Sequence, residues 1–343
     1  MEYANNSYQN DAINGVLNSL ANALPDGFEE YIDPSGISLS GPDGLLYELL
    51  GVLSGSSGEL GAFCTVVVLS TLLIALASFL SSGRGGAVFS GVSLSVSLML
   101  FSSLYPLFSS VAEALSDLGA FFSALLPALL SYLSLSGGVA TAAVASGGAG
   151  LTLWICGAAS GSLLLPFVSA VFASSALSAL GGASERLALR LKRIFVGAVG
   201  AIGFALGSFF ALQTYVSVSA DGLAIRTAKY TAGNIIPIVG QTVSGALSAL
   251  TGGISMLGGR IGAAGVSVLV AISLSPLVIL LAHKLVLYLA SLALELVGAE
   301  RSGVITAFIG ALDSLISVYV MTTIIYIFEI IVMVWGGGNI IGT

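Results

Sequence analysis

The sequence predicts an all-α, polytopic membrane protein of about eight transmembrane or re-entrant helices, preceded by a short amphipathic-helical region outside the cytoplasm. Three observations carry that expectation. Of 343 residues, 56% are hydrophobic and only 8% are charged, where soluble domains carry roughly 25% charged residues. Mean hydropathy is +1.05. The apolar runs are continuous rather than alternating, which argues against a membrane β-barrel. The 44 glycines suit close helix packing in lipid.

Charge divides the chain into an acidic segment, 1–59, and a helical body, 60–343. The net charge of −7 arises wholly in the first part, and the remainder is close to balanced. Residues 1–59 hold Glu2, Asp11, Asp26, Glu29, Glu30, Asp33, Asp43, Glu48 and Glu59, and no Lys or Arg. All ten cations fall between Arg84 and Arg301. A flank without cations belongs outside the cytoplasm. Within it, Ile13, Val16, Leu17, Leu20 and Leu24 keep helical spacing until Pro25-Asp26-Gly27. Turns follow at Asp33-Pro34-Ser35-Gly36 and Gly41-Pro42-Asp43-Gly44, and Leu45–Leu53 suits a second amphipathic helix. This region reads as a flap over one face of the body, or as a docking surface for a partner. Met1–Asp11 lacks the basic and apolar regions of a secretion signal. Placing the segment outside therefore implies a leader upstream of it.

Residues 60–82 form the first span, and Arg84 marks a cytoplasmic turn. Residues 87–111 return outward to a turn carrying Glu113 and Asp117. Residues 119–181 are apolar throughout, long enough for three crossings at roughly 20 residues each. These return the chain to the cytoplasm at Arg186, Arg190, Lys192 and Arg193, a cluster suited to anchoring orientation or contacting anionic lipid. Residues 194–216 are the next span. Gly200, Gly203 and Gly207 share one of its faces; Gly157–Gly161 and Gly245–Ala249–Gly253 form further small-residue stripes. Such stripes let backbones approach where lipid supplies no hydrophobic drive.

Residues 226–260 are the most unusual stretch. Arg226 and Lys229 lead into Asn234, Pro237, Gly240, Gln241 and Thr242, set among Ile, Val, Ala and Gly, and the stretch ends at Arg260. One reading is a broken or re-entrant helix lining a cavity, since irregular backbone survives at membrane depth only when covered by protein or water. The other is an ordinary span with an early proline and a small-residue face.

A continuous helix over 261–298 would be about 57 Å long, against a hydrocarbon core of about 30 Å, so it must break, tilt or project, with Pro276 the expected breakpoint. Residues 303–335 are the last apolar run, with Tyr319, Tyr326 and Trp335 as interface aromatics.

No nucleotide-binding loop, GxSxG or HExxH pattern is present, and GAVGAIG at 197–203 follows no strand. Cys64 and Cys156 are isolated in apolar runs, and His283 is the single histidine, so no metal site, cofactor or enzyme activity is expected. The ionisable residues near membrane depth are His283, Lys284, Glu295, Asp313 and Glu329. Asp313 and Glu329 are about 24 Å apart on one helix and cannot pair with each other. Interfacial snorkelling is the preferred reading for both. Lys284 could pair with Glu295 or Asp313.

RTAKYTAGNIIPIVG, through Arg226, Thr227, Ala228, Lys229, Gly233, Asn234, Ile236, Pro237, Val239 and Gly240, resembles the signature region of the stage III sporulation protein AE family. The likeness continues to the tail Trp335-Gly336-Gly337-Gly338-Asn339-Ile340. The resemblance implies a multispanning subunit of a secretion-like channel complex between mother cell and forespore, in the mother-cell membrane around the forespore. It also implies partners among the other stage III sporulation membrane proteins and a cytoplasmic secretion-type ATPase. Apart from lipid, no nucleic-acid or cofactor partner is expected, and homo-oligomers remain open. Two rival readings stand beside it: an ion- or proton-coupled transporter using residues 233–257 with Glu295, Asp313 or Glu329, and a structural membrane scaffold.

Overall fold

A computed structural model describes residues 50–80, 86–135, 139–158, 240–298 and 303–342, with isolated positions between 169 and 209. Among the described residues the chain is entirely helical. Five helices among these residues are long and apolar enough to cross a membrane. They are α1 (Ser57–Leu80), α2 (Gly86–Leu135), α3 (Val139–Ala158), α4 (Gly240–Leu296) and α5 (Val304–Gly342). The expected eight spans are not all within reach, because most of 159–239 lies outside the described residues, as does nearly all of the acidic N-terminal region.

Each helix buries a seam whose spacing alternates three and four residues. In α1 it is Phe63, Val67, Ser70, Ile74 and Ala77. In α2 it runs from Leu104 through Phe108, Val111, Leu115, Leu118, Phe122, Leu125 and Leu129 to Tyr132. In α3 it is Ala142, Ala145, Ala149, Thr152 and Cys156. That alternation averages 3.5 residues, so each seam keeps facing its neighbours only if the helices cross at a shallow angle, about 20°.

Directions follow from the pairs that meet. Phe122 stacks near Tyr326, with centroids 4.9 Å apart, and the Tyr132 hydroxyl donates to the Val334 carbonyl at 3.5 Å. Advancing along α2 therefore advances along α5, and the two run parallel. Gly262 lies against Val334 while Lys284 reaches Asp313. Helix α4 is thus antiparallel to α5, with a register that stays matched across more than twenty residues.

Two sequence expectations are corrected. No turn occurs at Glu113 and Asp117; α2 is helical straight through them and through Pro106 and Pro127. The segment VAEALSDL is built of helix formers and holds no Gly or Pro, so nothing in it stops the helix. The outward turn there carried the count of crossings that brought Arg186–Arg193 back to the cytoplasm, and that count loses its support. Nor does the helix break at Pro276; α4 continues to Leu296. In a packed apolar bundle the bond lost at a proline is tolerated, because the rest of the helix stays paired and clamped by its neighbours. The stop comes instead at Gly298, whose φ of +70° is the left-handed conformation in which a glycine ends a helix.

The resulting helices outrun a bilayer. Helix α2 is about 75 Å long and α4 about 86 Å, against about 30 Å of hydrocarbon. A level of charge divides the bundle. Phe63 of α1 packs on His283 of α4, with centroids 4.6 Å apart, and Glu59 acts on the same imidazole. Lys284 meets Asp313, and Asp117 lies within electrostatic reach of Tyr319. Glu59, Glu113, Asp117, His283, Lys284 and Asp313 therefore fall within about two helical turns of one another along the bundle axis. On one side of this belt lie Asp117–Leu135 of α2, all of α3, Gly262–Lys284 of α4 and Asp313–Trp335 of α5. These stretches are each about 28–35 Å long, the thickness of one bilayer core. On the other side α1 packs against the first half of α2 and the end of α4.

Candidate functional site

Two polar constellations lie within the bundle. The first is the belt. Lys284 Nζ is 2.6 Å from Asp313 Oδ1, with the side chains 24% and 33% exposed, so the pairing open in the sequence is resolved in favour of Asp313. The Tyr288 ring, one turn along α4, adds a cation–π contact at 5.5 Å. Glu295 is exposed near the end of α4. His283 is buried and its Nδ1 donates to the Ile279 carbonyl at 2.8 Å. A carbonyl can only accept, so Nδ1 carries the proton. Among the described residues the belt holds four carboxylates, Glu59, Glu113, Asp117 and Asp313, against one ammonium. Groups of this kind belong at a polar level rather than in hydrocarbon.

The second constellation is inside the four-helix tier. Glu329 does not snorkel; it is 2% exposed. Its two methylenes are too short to reach past the neighbouring turn, and its position faces inward. Phe308, Leu312, Leu315, Tyr319, Thr322, Tyr326, Glu329 and Met333 form one buried seam of α5 at alternating four- and three-residue steps. That spacing was available in the sequence and is the signal that would have placed Glu329 in the core. Thr152 of α3 faces the carboxyl. Neither carboxylate oxygen nor the Thr152 hydroxyl reaches hydrogen-bonding geometry with a partner. Next to them the Tyr326 hydroxyl pairs with the Cys156 thiol, and Gly119 of α2 makes room for that hydroxyl, since a Cβ there would stand 3.3 Å from it.

The other expected positions are not drawn into these clusters. Arg226, Lys229, Asn234 and Pro237 lie outside the described residues, while Gly240 and Gln241 open α4. Gly161, Gly200, Gly203 and Gly207 also lie outside them. Gly157 is exposed, and a Cβ there would meet nothing within 4 Å. Among the described residues helices approach more closely than a Cβ allows at Gly262, against Val334, and at Gly265, against Leu125. No group of three or more His, Cys, Asp or Glu side chains is placed to hold a metal among the described residues.

Long apolar helices with 3–4 seams, a charged belt and a tier one bilayer thick define a multi-pass helical membrane protein. Comparison with known proteins narrows this. The model of the family described as stage III sporulation protein AE matches residues 43–338. A curated relative, stage III sporulation protein AE of Bacillus subtilis (strain 168), is 26% identical over 261 residues. That alignment covers 74% of this chain and 63% of the relative, so the chain spans less than two thirds of that protein's length. No solved structure matches. The chain belongs to the stage III sporulation protein AE family.

Proposed function

We propose that the chain is a multispanning subunit of a secretion-like channel complex joining mother cell and forespore, seated in the mother-cell membrane that surrounds the forespore. It contributes packed transmembrane structure rather than catalysis. Its partners are the other stage III sporulation membrane proteins and a cytoplasmic secretion-type ATPase. The observation that carries this reading is the family match over 43–338, which takes in α1 to α4 whole and α5 up to residue 338. Two features support it. The acidic segment before α1 suits the extracytoplasmic side. Outward-facing apolar side chains on α1 and α4, such as Leu72, Phe79, Leu285 and Leu292, suit lipid or a partner's helices.

The test is crosslinking and co-purification of the tagged full-length protein from sporulating cells. Recovery of the stage III membrane proteins and the ATPase is expected, together with arrest of development after engulfment when the gene is deleted. Recovery of the protein alone, with normal spores from the deletion strain, would overturn the reading. Flux through liposomes holding the purified protein by itself would move the assignment to a transporter.

A further inference from the structure

Glu329 is the only carboxylate buried inside the bundle among the described residues. The described residues of the elements packed near it can be read for a counter-charge. Helix α3 presents Thr152 and Cys156, and α5 itself presents Tyr326. At this level α2 presents Gly119, Phe122 and Leu125, and α4 presents Gly265, none of them ionisable. Of the cations of α4, Lys284 is engaged by Asp313, about 24 Å away along α5, and Arg260 precedes Gly262 toward the Trp335 end, while both Glu329 oxygens are without a hydrogen-bond partner. Among the described residues an ionised carboxylate here would have no counter-ion beside it and only the Thr152 hydroxyl facing it, a condition that costs several kcal/mol. The neutral acid leaves only ordinary unsatisfied polar atoms, at about 1–3 kcal/mol. The geometry therefore favours the acid, and the exposed Trp335, at the end of the apolar tier, is about 9 Å further along the helix.

We propose that Glu329, with Thr152 opposite it, forms a proton-binding site between α3 and α5, and that the bound proton holds these two helices together. When the carboxyl O–H breaks, its proton passes to water or hydroxide arriving from the Trp335 end. The carboxylate left behind must be hydrated, and the space for that water can come only from parting α3 from α5. Cys156, one turn beyond Thr152 on the same seam and 3% exposed, then becomes accessible. The site depends on packing within this chain, so it stands whether or not the complex conducts.

The experiment uses the full chain in lipid nanodiscs. Dicyclohexylcarbodiimide attacks protonated carboxyls in apolar surroundings, and mapping its adducts needs no variant. An adduct on Glu329 is expected at mildly acidic pH, with its yield falling at least about tenfold as the pH is raised and the acid is lost. Alkylation of Cys156 by a small maleimide is then compared in wild type and Glu329→Gln at each pH, which cancels the thiol's own ionisation. The wild-type-to-variant ratio is expected to rise at alkaline pH, because glutamine stays neutral and keeps the helices closed. No adduct at Glu329 at any pH, as a carboxylate already paired with a cation would give, overturns the proposal. So does a ratio of alkylation rates that stays flat with pH.

Discussion

Replacing Gly262 with alanine puts a methyl group where Val334 already sits. All three carbons of the Val334 side chain lie within contact range of the Cβ that would be added, one of them well inside it. Valine is β-branched and has one favoured rotamer in a helix, so it cannot swing aside. The α4 and α5 backbones must separate instead, and they do so at one end of a tier whose register is held at the other end by Lys284–Asp313. Overpacking of this kind costs about 1–3 kcal/mol. Val334→Ala alone removes two methyls from a half-buried position and costs under about 1.5 kcal/mol. Together the two changes restore the fit, so the double variant should cost about 1–2 kcal/mol less than the sum of the singles. Gly265→Ala is the control. It meets chiefly the tip of Leu125, which can rotate, so its cost falls below that of Gly262→Ala. Reversible unfolding of the purified protein in mixed detergent, followed by circular dichroism, measures all four. Strict additivity of Gly262→Ala and Val334→Ala would refute the antiparallel register and the close approach on which the fold rests.

Three further outcomes are expected. Lys284→Met and Asp313→Asn should show a coupling of about 0.5–1.5 kcal/mol in a double-mutant cycle, more than an exposed pair because both side chains are half-buried, and weakened by salt; zero coupling at low salt would mean the pair does not form. Tyr319→Phe should leave stability unchanged or raise it by up to about 1 kcal/mol in the same unfolding assay, because its buried hydroxyl has no hydrogen-bond partner to lose. Gly298→Ala should cost about 1 kcal/mol, since alanine resists the positive φ that ends α4, and a melting temperature equal to wild type would show that the helix ends some other way.

The sequence by itself determined the class of the molecule. With 8% charged residues and apolar runs of twenty or more, no packing other than helices in lipid can satisfy the backbone. It also determined where polar chemistry could lie, because His283, Lys284, Glu295, Asp313 and Glu329 are the only His, Lys, Arg, Asp or Glu residues in 261–298 and 303–335. It could not say which of these meet. Lys284 had two carboxylates within plausible reach, and only the antiparallel register of α4 and α5 selects Asp313. A proline marked 276 as a breakpoint and two carboxylates without a cation marked 113–117 as a turn, yet packing along α2 and α4 outweighs one lost hydrogen bond and two charges that a polar belt accommodates. Glycine stripes were visible, but which glycine faces a partner backbone depends on helix rotation, so Gly157 looks outward while Gly262 is pressed against Val334. The same rotation turns Glu329 inward. A single sequence lists the groups along each helix, but burial and pairing are properties of surfaces from different helices, and these exist only once the bundle has closed.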